Sequence, residues 1–123
     1  MSYDIRLGVK VENTDIIATV AEPFLSSPTY NLGQMFRACT GWDFKQGEWY
    51  KVKDVYENIL NGISELRINR EKYVCLNPEN GWGNIDGAND VLKSMRDCID
   101  AITDPNCGYY WNVIPIEYLY ITW

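Results

Sequence analysis

Apolar and polar positions alternate along the first dozen residues: Tyr3, Ile5, Leu7, Val9 and Val11 stand between Asp4, Arg6, Gly8, Lys10 and Glu12. A period of two predicts a β-strand with one buried face and one wet face. The run Glu12-Asn13-Thr14-Asp15 is turn material. The β-branched stretch from Ile16 to Ala21 then returns as a second strand, so residues 3–21 read as a hairpin ended by Pro23. Beyond it the period changes. Ser27-Pro28 fits a helix N-cap followed by a first-turn proline. Leu32, Met35, Phe36 and Cys39 then fall on one helical stripe, Tyr30, Gln34 and Arg37 lie opposite, and Gly41 serves as the stop.

From Trp42 to Tyr50 the chain reads as irregular, broken at Gly47. Val52, Val55, Tyr56, Ile59, Ile63 and Leu66 predict a second amphipathic helix over 52–67. Gly62 inside it costs about 1 kcal/mol against alanine, which predicts a packing reason for its presence. Asn69 to Tyr73 adds a short turn, and Pro78 to Gly83 is a loop. A third helix over 85–103 carries Ile85, Ala88, Leu92, Met95, Ile99 and Ile102 on one face, and Asp104-Pro105-Asn106-Cys107-Gly108 stops it. Residues 114–123 are β-branched and aromatic and read as a last strand, with Pro115 keeping its start at an edge or bulge. The order β-β-α-α-α-β shows neither βαβ alternation nor a repeat, which argues against a doubly wound nucleotide fold. The expected fold class is α+β: a small antiparallel sheet, made of the N-terminal hairpin and the C-terminal strand, covered by about three helices.

Composition narrows the chemistry. A chain of 123 residues, 46% of them apolar, should form one globular domain spanning 1–123, burying about two-thirds of its unfolded surface. No apolar run approaches the roughly 18–20 residues that span a bilayer. The N-terminus lacks the basic-then-apolar order of a secretion signal, so a cytoplasmic location without membrane contact is expected. Cys39, Cys75, Cys98 and Cys107 then read as reduced thiols. None forms a C-x-x-C pair and the chain has no histidine, so neither a metal nor a cofactor is expected. The lack of histidine excludes Ser-His-Asp, Cys-His and His-metal catalysis. The carboxylates left for such work are Asp43, Glu48, Asp86 and Asp90. Asp86 and Asp90, four apart on a helix, could raise each other's pKa, although acids near a helix start ordinarily complement its dipole. The net charge is −6, from 11 basic and 17 acidic residues, with no basic stripe for a duplex. This argues against direct duplex nucleic-acid binding. The same acidity keeps a small protein soluble or suits docking on a basic surface.

Two blocks, residues 26–42 (SSPTYNLGQMFRACTGW) and 77–84 (NPENGWGN), mix glycine, asparagine and large aromatics in a way that packing alone does not require. Glycine allows close approach, asparagine brings donors and acceptors, and tryptophan a flat apolar face, a set suited to a pocket or docking patch. In the first block Thr29, Tyr30, Asn31, Gln34 and Arg37 surround a helix start, where free N–H groups and the dipole favour an anion. Trp42 closes that block. In the second, Asn80, Trp82 and Asn84 stand on a glycine-flanked loop able to fold over a ligand. The plainer alternatives are a solvated helix face and a tryptophan that plugs the core. Neither block is a phosphate loop, since G-x-x-x-x-G-K and G-x-G-x-x-G are both absent. Trp42, Asp43, Trp49 and Tyr50, crowded together with Lys45, Gln46 and Glu48, form either an aromatic partner surface or core.

The runs SPTYNLGQMFRACTGWDFKQGEWYKV and NPENGWG, with the closing IPIEYLYITW, resemble a family of small, functionally uncharacterised bacteriophage and prophage proteins. The resemblance covers most of the chain and carries over no catalytic residue. It implies a host-cytoplasm setting, in which such proteins counter host defence by binding a defence protein or by sequestering the nucleotide that activates it. The leading expectation is therefore a non-enzymatic binder of a nucleotide-like small molecule. Tyr30 or Trp82 would stack on a base, Arg37 would pair with phosphate, and Asn31, Asn80 and Asn84 would read polar edges. Such a site commonly lies between protomers, so a homo-oligomer is expected. The alternative is an inhibitor that docks its acidic and aromatic surface, Trp42 and Trp49 foremost, on a basic groove of a host defence protein. A third option is a carboxylate-based nucleotide hydrolase using Asp43 or Asp86.

Overall fold

In the computed structural model, which describes residues 3–23, 30–77, 84–106 and 113–123, the N-terminal hairpin forms as its alternation predicts. Strand β1 (Arg6–Lys10) pairs antiparallel with β2 (Ile17–Ala21). Val11 holds the turn: its N–H donates to the Ile16 carbonyl at 2.8 Å, and its own carbonyl accepts from Thr14 N at 3.0 Å. Asn13 takes the positive φ of 63° that the turn demands, a conformation asparagine tolerates better than most residues.

Helix α1 (Gly33–Thr40) follows a 3-10 turn at Tyr30–Leu32. It starts later than the Ser27-Pro28 signal would place it, and those two residues lie outside the described ones. Gly41 ends it as expected, with φ of 69° and its N–H on the Arg37 carbonyl. One further element was not legible: the segment read as irregular ends in β3 (Trp49–Lys51). The short turn read over Asn69 to Tyr73 is a brief helix, α3 (Arg70–Val74), after α2 (Val52–Ile68). Helix α4 (Ile85–Thr103) matches its sequence limits. The last strand is shorter than expected. Pro115 opens a 3-10 turn at Ile116–Tyr118, in which Tyr118 N donates to its carbonyl at 2.9 Å, and only β4 (Tyr120–Thr122) pairs.

The result is the α+β architecture, with one more strand than expected. The sheet order is β2-β1-β4-β3, antiparallel throughout, so the C-terminal strand runs inside the sheet and not at its edge. Leu7, Ile121 and Tyr50 share one row and face the helices; Leu7 and Ile121 are wholly buried. Against them pack Phe36 of α1, Val52 and Ile59 of α2, and Leu92, Met95 and Ile99 of α4, in one continuous core. The centre is aromatic. Trp123 stacks on Phe44 at 4.0 Å and lies within 5.7 Å of Trp42, Phe36 and Tyr3. Among the described residues no helix is long and apolar enough to cross a membrane.

Gly62 has the packing reason that its sequence position predicts. A Cβ there would stand 2.7 Å from Thr40 Cγ2, 2.9 Å from Leu92 Cδ1 and 3.3 Å from Cys39 Sγ, so α1, α2 and α4 meet over it. Thr40 cannot turn aside cheaply. Its hydroxyl donates to the Phe36 carbonyl at 2.6 Å and accepts from Trp42 N at 3.1 Å. Overpacking of this kind costs about 1–3 kcal/mol, against about 1 kcal/mol gained in helix propensity. Gly62→Ala should therefore lower the urea midpoint without changing the slope of the transition.

Candidate functional site

Of the residues expected to bind, Thr29, Asn80, Trp82 and the side chain of Tyr30 lie outside the described residues. Asn31 and Gln34 are exposed beside the start of α1. Arg37 is half-buried and held against its own protein. Its Nε donates to the Phe44 carbonyl at 3.2 Å, its guanidinium lies 4.4 Å from the Phe44 ring centre, and the Asp43 carboxylate is 3.8 Å away. Trp42 corrects the expectation of a surface ring: only 6% exposed, it packs edge-on against Phe44, Tyr50 and Trp123. A small aromatic-rich domain used this ring to fill its interior. Asn84 is the N-cap of α4, its Oδ1 accepting from Gly87 N at 2.8 Å. Arg37, Trp42 and Asn84 therefore do structural work.

Of the carboxylates named for catalysis, Asp43 stands 3.8 Å from Arg37, Glu48 accepts from the Tyr50 hydroxyl at 3.3 Å, and Asp86 pairs with Arg70. Asp86 accepts from Arg70 Nη1 at 2.7 Å, and that hydrogen bond holds its carboxyl below the usual aspartate range, the reverse of what a general acid needs. Burial pushes the Cys39 thiol up to about 12, far from a thiolate at neutral pH. Among the described residues no group of three or more metal-ligating side chains occurs.

The sheet has a second face, and here residues distant in sequence come together. In an antiparallel sheet paired residues point to the same side. One row therefore reads Trp49, Thr122, Arg6; the next reads Lys51, Tyr120, Gly8, Thr19; and Lys10 pairs with Ile17 beyond it. These are the positions opposite to Leu7 and Ile121, on the side away from the helical core. Trp49 reaches across the sheet to Gly8, where an added Cβ would meet its Cη2 at 3.0 Å and the Ala18 carbonyl at 2.8 Å. Gly8 is thus the gap that lets the indole lie down. Arg6 stands 5.5 Å from the Trp49 ring centre and Lys10 5.7 Å from that of Tyr120. Arg6 also reaches Thr19 Oγ1 at 3.5 Å and pairs with Asp4 at 3.5 Å. Among the residues of the four strands the charged ones are Arg6, Lys10 and Lys51, all basic. Sequence reasoning recognised the wet face of the first strand. It missed that β4 brings Trp49 and Lys51 onto that face.

Across the molecule α4 exposes Asp86, Asp90, Asp97 and Asp100. Three of these already have partners: Arg70 on Asp86, Arg96 on Asp97 at 3.0 Å, and the Tyr56 hydroxyl on Asp100 at 2.6 Å. The outer sheet face is where basic and aromatic side chains distant in sequence are grouped. Comparison with protein-family models, curated proteins and solved structures finds no match to this chain.

Asn84→Ala should cost about 1 kcal/mol through loss of the α4 cap, and Asn84→Asp should restore it, both read by urea unfolding. The Asp86–Arg70 pair stabilises fully above the ordinary aspartate range, and that part is lost as pH falls through the lowered value. Asp86→Asn should therefore flatten the acid limb of the stability–pH curve.

Proposed function

We propose that this chain is a non-enzymatic binding protein of phage type, and that it sequesters an anionic, ring-bearing small molecule such as a nucleotide on the outer face of its sheet. The observation that supports this reading is the grouping of Arg6, Lys10 and Lys51 with the half-buried rings of Trp49 and Tyr120, in a chain whose net charge is −6. A base stacks on an aromatic face, and phosphate pairs with arginine or lysine. A sheet face bearing both is a recurrent platform for nucleotide rings. The phage setting and the anti-defence role come from the resemblance of residues 27–52 and the closing run to phage proteins. Docking of the acidic helical face, with Asp86, Asp90, Asp97 and Asp100, on a basic host surface is the second reading.

The test is native mass spectrometry and calorimetry with a panel of mono-, di- and cyclic nucleotides. Binding of at least one member is expected, with the ligand recovered unchanged. Lys10→Glu with Lys51→Glu should weaken it about tenfold or more, since one charge-assisted hydrogen bond is worth about 1.5 kcal/mol or above, while the urea midpoint stays put. Conversion of the nucleotide would overturn the non-enzymatic reading. Failure of the whole panel, or a double variant that binds as the parent does, would overturn the site.

A further inference from the structure

Strand β2 closes one side of the sheet, pairing with β1 alone among the described strands. Natural edges are blunted with charge or proline and by bulges. The run from Ile16 to Ala21 has neither charge nor proline, with Asp15 and Glu22 standing just outside it. Ile16 is 66% exposed and Val20 39% exposed. The backbone adds a directional constraint. Val11 N donates to the Ile16 carbonyl between the strands, so along the ladder Val9 and Ala18 are the hydrogen-bonded pair, whereas Ile17 and Thr19, opposite Lys10 and Gly8, turn their N–H and C=O groups outward. Past Thr19 the register shifts, which leaves Val20 as the extra residue of a bulge.

We propose that two copies of this chain associate edge to edge through β2, antiparallel about a two-fold axis at Ala18. This register sets Ile17 opposite the partner's Thr19 and Thr19 opposite the partner's Ile17, so that four outward backbone groups on each copy are satisfied reciprocally. It also sets exposed Ile16 against the partner's exposed Val20, twice by symmetry. Asp15 falls opposite the partner's Ala21 and Glu22 opposite the partner's Thr14, so no acidic pair is opposed. Neighbouring registers fail. Centring on Thr19 would set outer-face Ile17 against inner-face Ala21, and centring on Ile17 would draw Asp15 of the turn into the ladder. Such agreement of backbone, apolar pair and charge under one two-fold points to a second copy and not to an unrelated peptide. Two five-residue strands make a contact at the small end of specific interfaces, so association in the micromolar range is expected.

The test uses the unliganded full chain and is therefore independent of the nucleotide reading. Sedimentation equilibrium should show the mass rising from 14.2 kDa toward twice that value with concentration. Ile16→Asp and Val20→Lys, both exposed positions that should leave the circular dichroism unchanged, should each weaken association at least tenfold. An equimolar mixture of the two variants should recover it, because this register sets the new aspartate against the new lysine. A parent chain that stays monomeric at the highest soluble concentration overturns the proposal. So does association indifferent to either substitution, or a mixture no stronger than its components.

Discussion

The ring of Trp123 is the point on which the separate parts of this chain converge. Phe44 stacks on it at 4.0 Å with the planes only 9° apart, and Phe36, Tyr3 and Trp42 meet it edge-on or tilted. The entry to β1, helix α1 with the 42–44 stretch that follows it, and the end of β4 are thereby joined through one side chain. The Gly47 N–H donates to the Trp123 carbonyl at 3.1 Å, so the loop before β3 is fixed to the same residue. Aromatic pairs in such offset and edge geometries add about 0.5–1.5 kcal/mol each beyond the area they bury. The arrangement also explains Arg37. With Trp123 on one face of Phe44, the guanidinium fills the other, and a residue that looks like a phosphate ligand in the sequence becomes the lid of an aromatic stack.

What could be read from the sequence follows the length over which a pattern repeats. Helices α2 and α4 run 17 and 19 residues, long enough for a 3.6 period to be unambiguous, and both matched. The hairpin was equally plain, since alternation and turn chemistry agreed. Strand β3 was not, because three residues carry no period and Trp49-Tyr50 fits core or surface equally well. The final strand was overextended because β-branched and aromatic residues continue on both sides of Pro115, and only the backbone geometry at that proline divides them. Asn84 was read as a ligand contact although its place just before an apolar helix is an N-cap signal. Asn58 and Asn61 were missed altogether. They donate to the Thr40 and Cys39 carbonyls at 2.9 and 3.0 Å and so cap α1 from the next helix. Nothing local announces a cap supplied from that far along the chain.

The outer sheet face was illegible for the same reason on a larger scale. Arg6 and Trp49 flank Thr122 only because β4 inserts between β1 and β3. Strand order is a property of the whole fold, and composition gave a contrary hint: a net charge of −6 conceals a surface on which the strand charges are all positive. The carboxylates of α4 largely answer one another's neighbours. On the helical side Asp86 and Asp100 tie α4 to α3 and α2 through Arg70 and Tyr56, while the charges within the strands are all basic.

One junction gives this arrangement a mechanical side. Lys51 ends β3 and Val52 begins α2 with no residue between them, and Val52 N is tied to the Leu119 carbonyl at 3.0 Å. The strand and the 17-residue helix behind it thus act as one stiff lever, hinged where β4 begins. A displacement of Lys51 on the outer face of the sheet therefore meets no intervening loop before the first turn of α2 in the opposite layer.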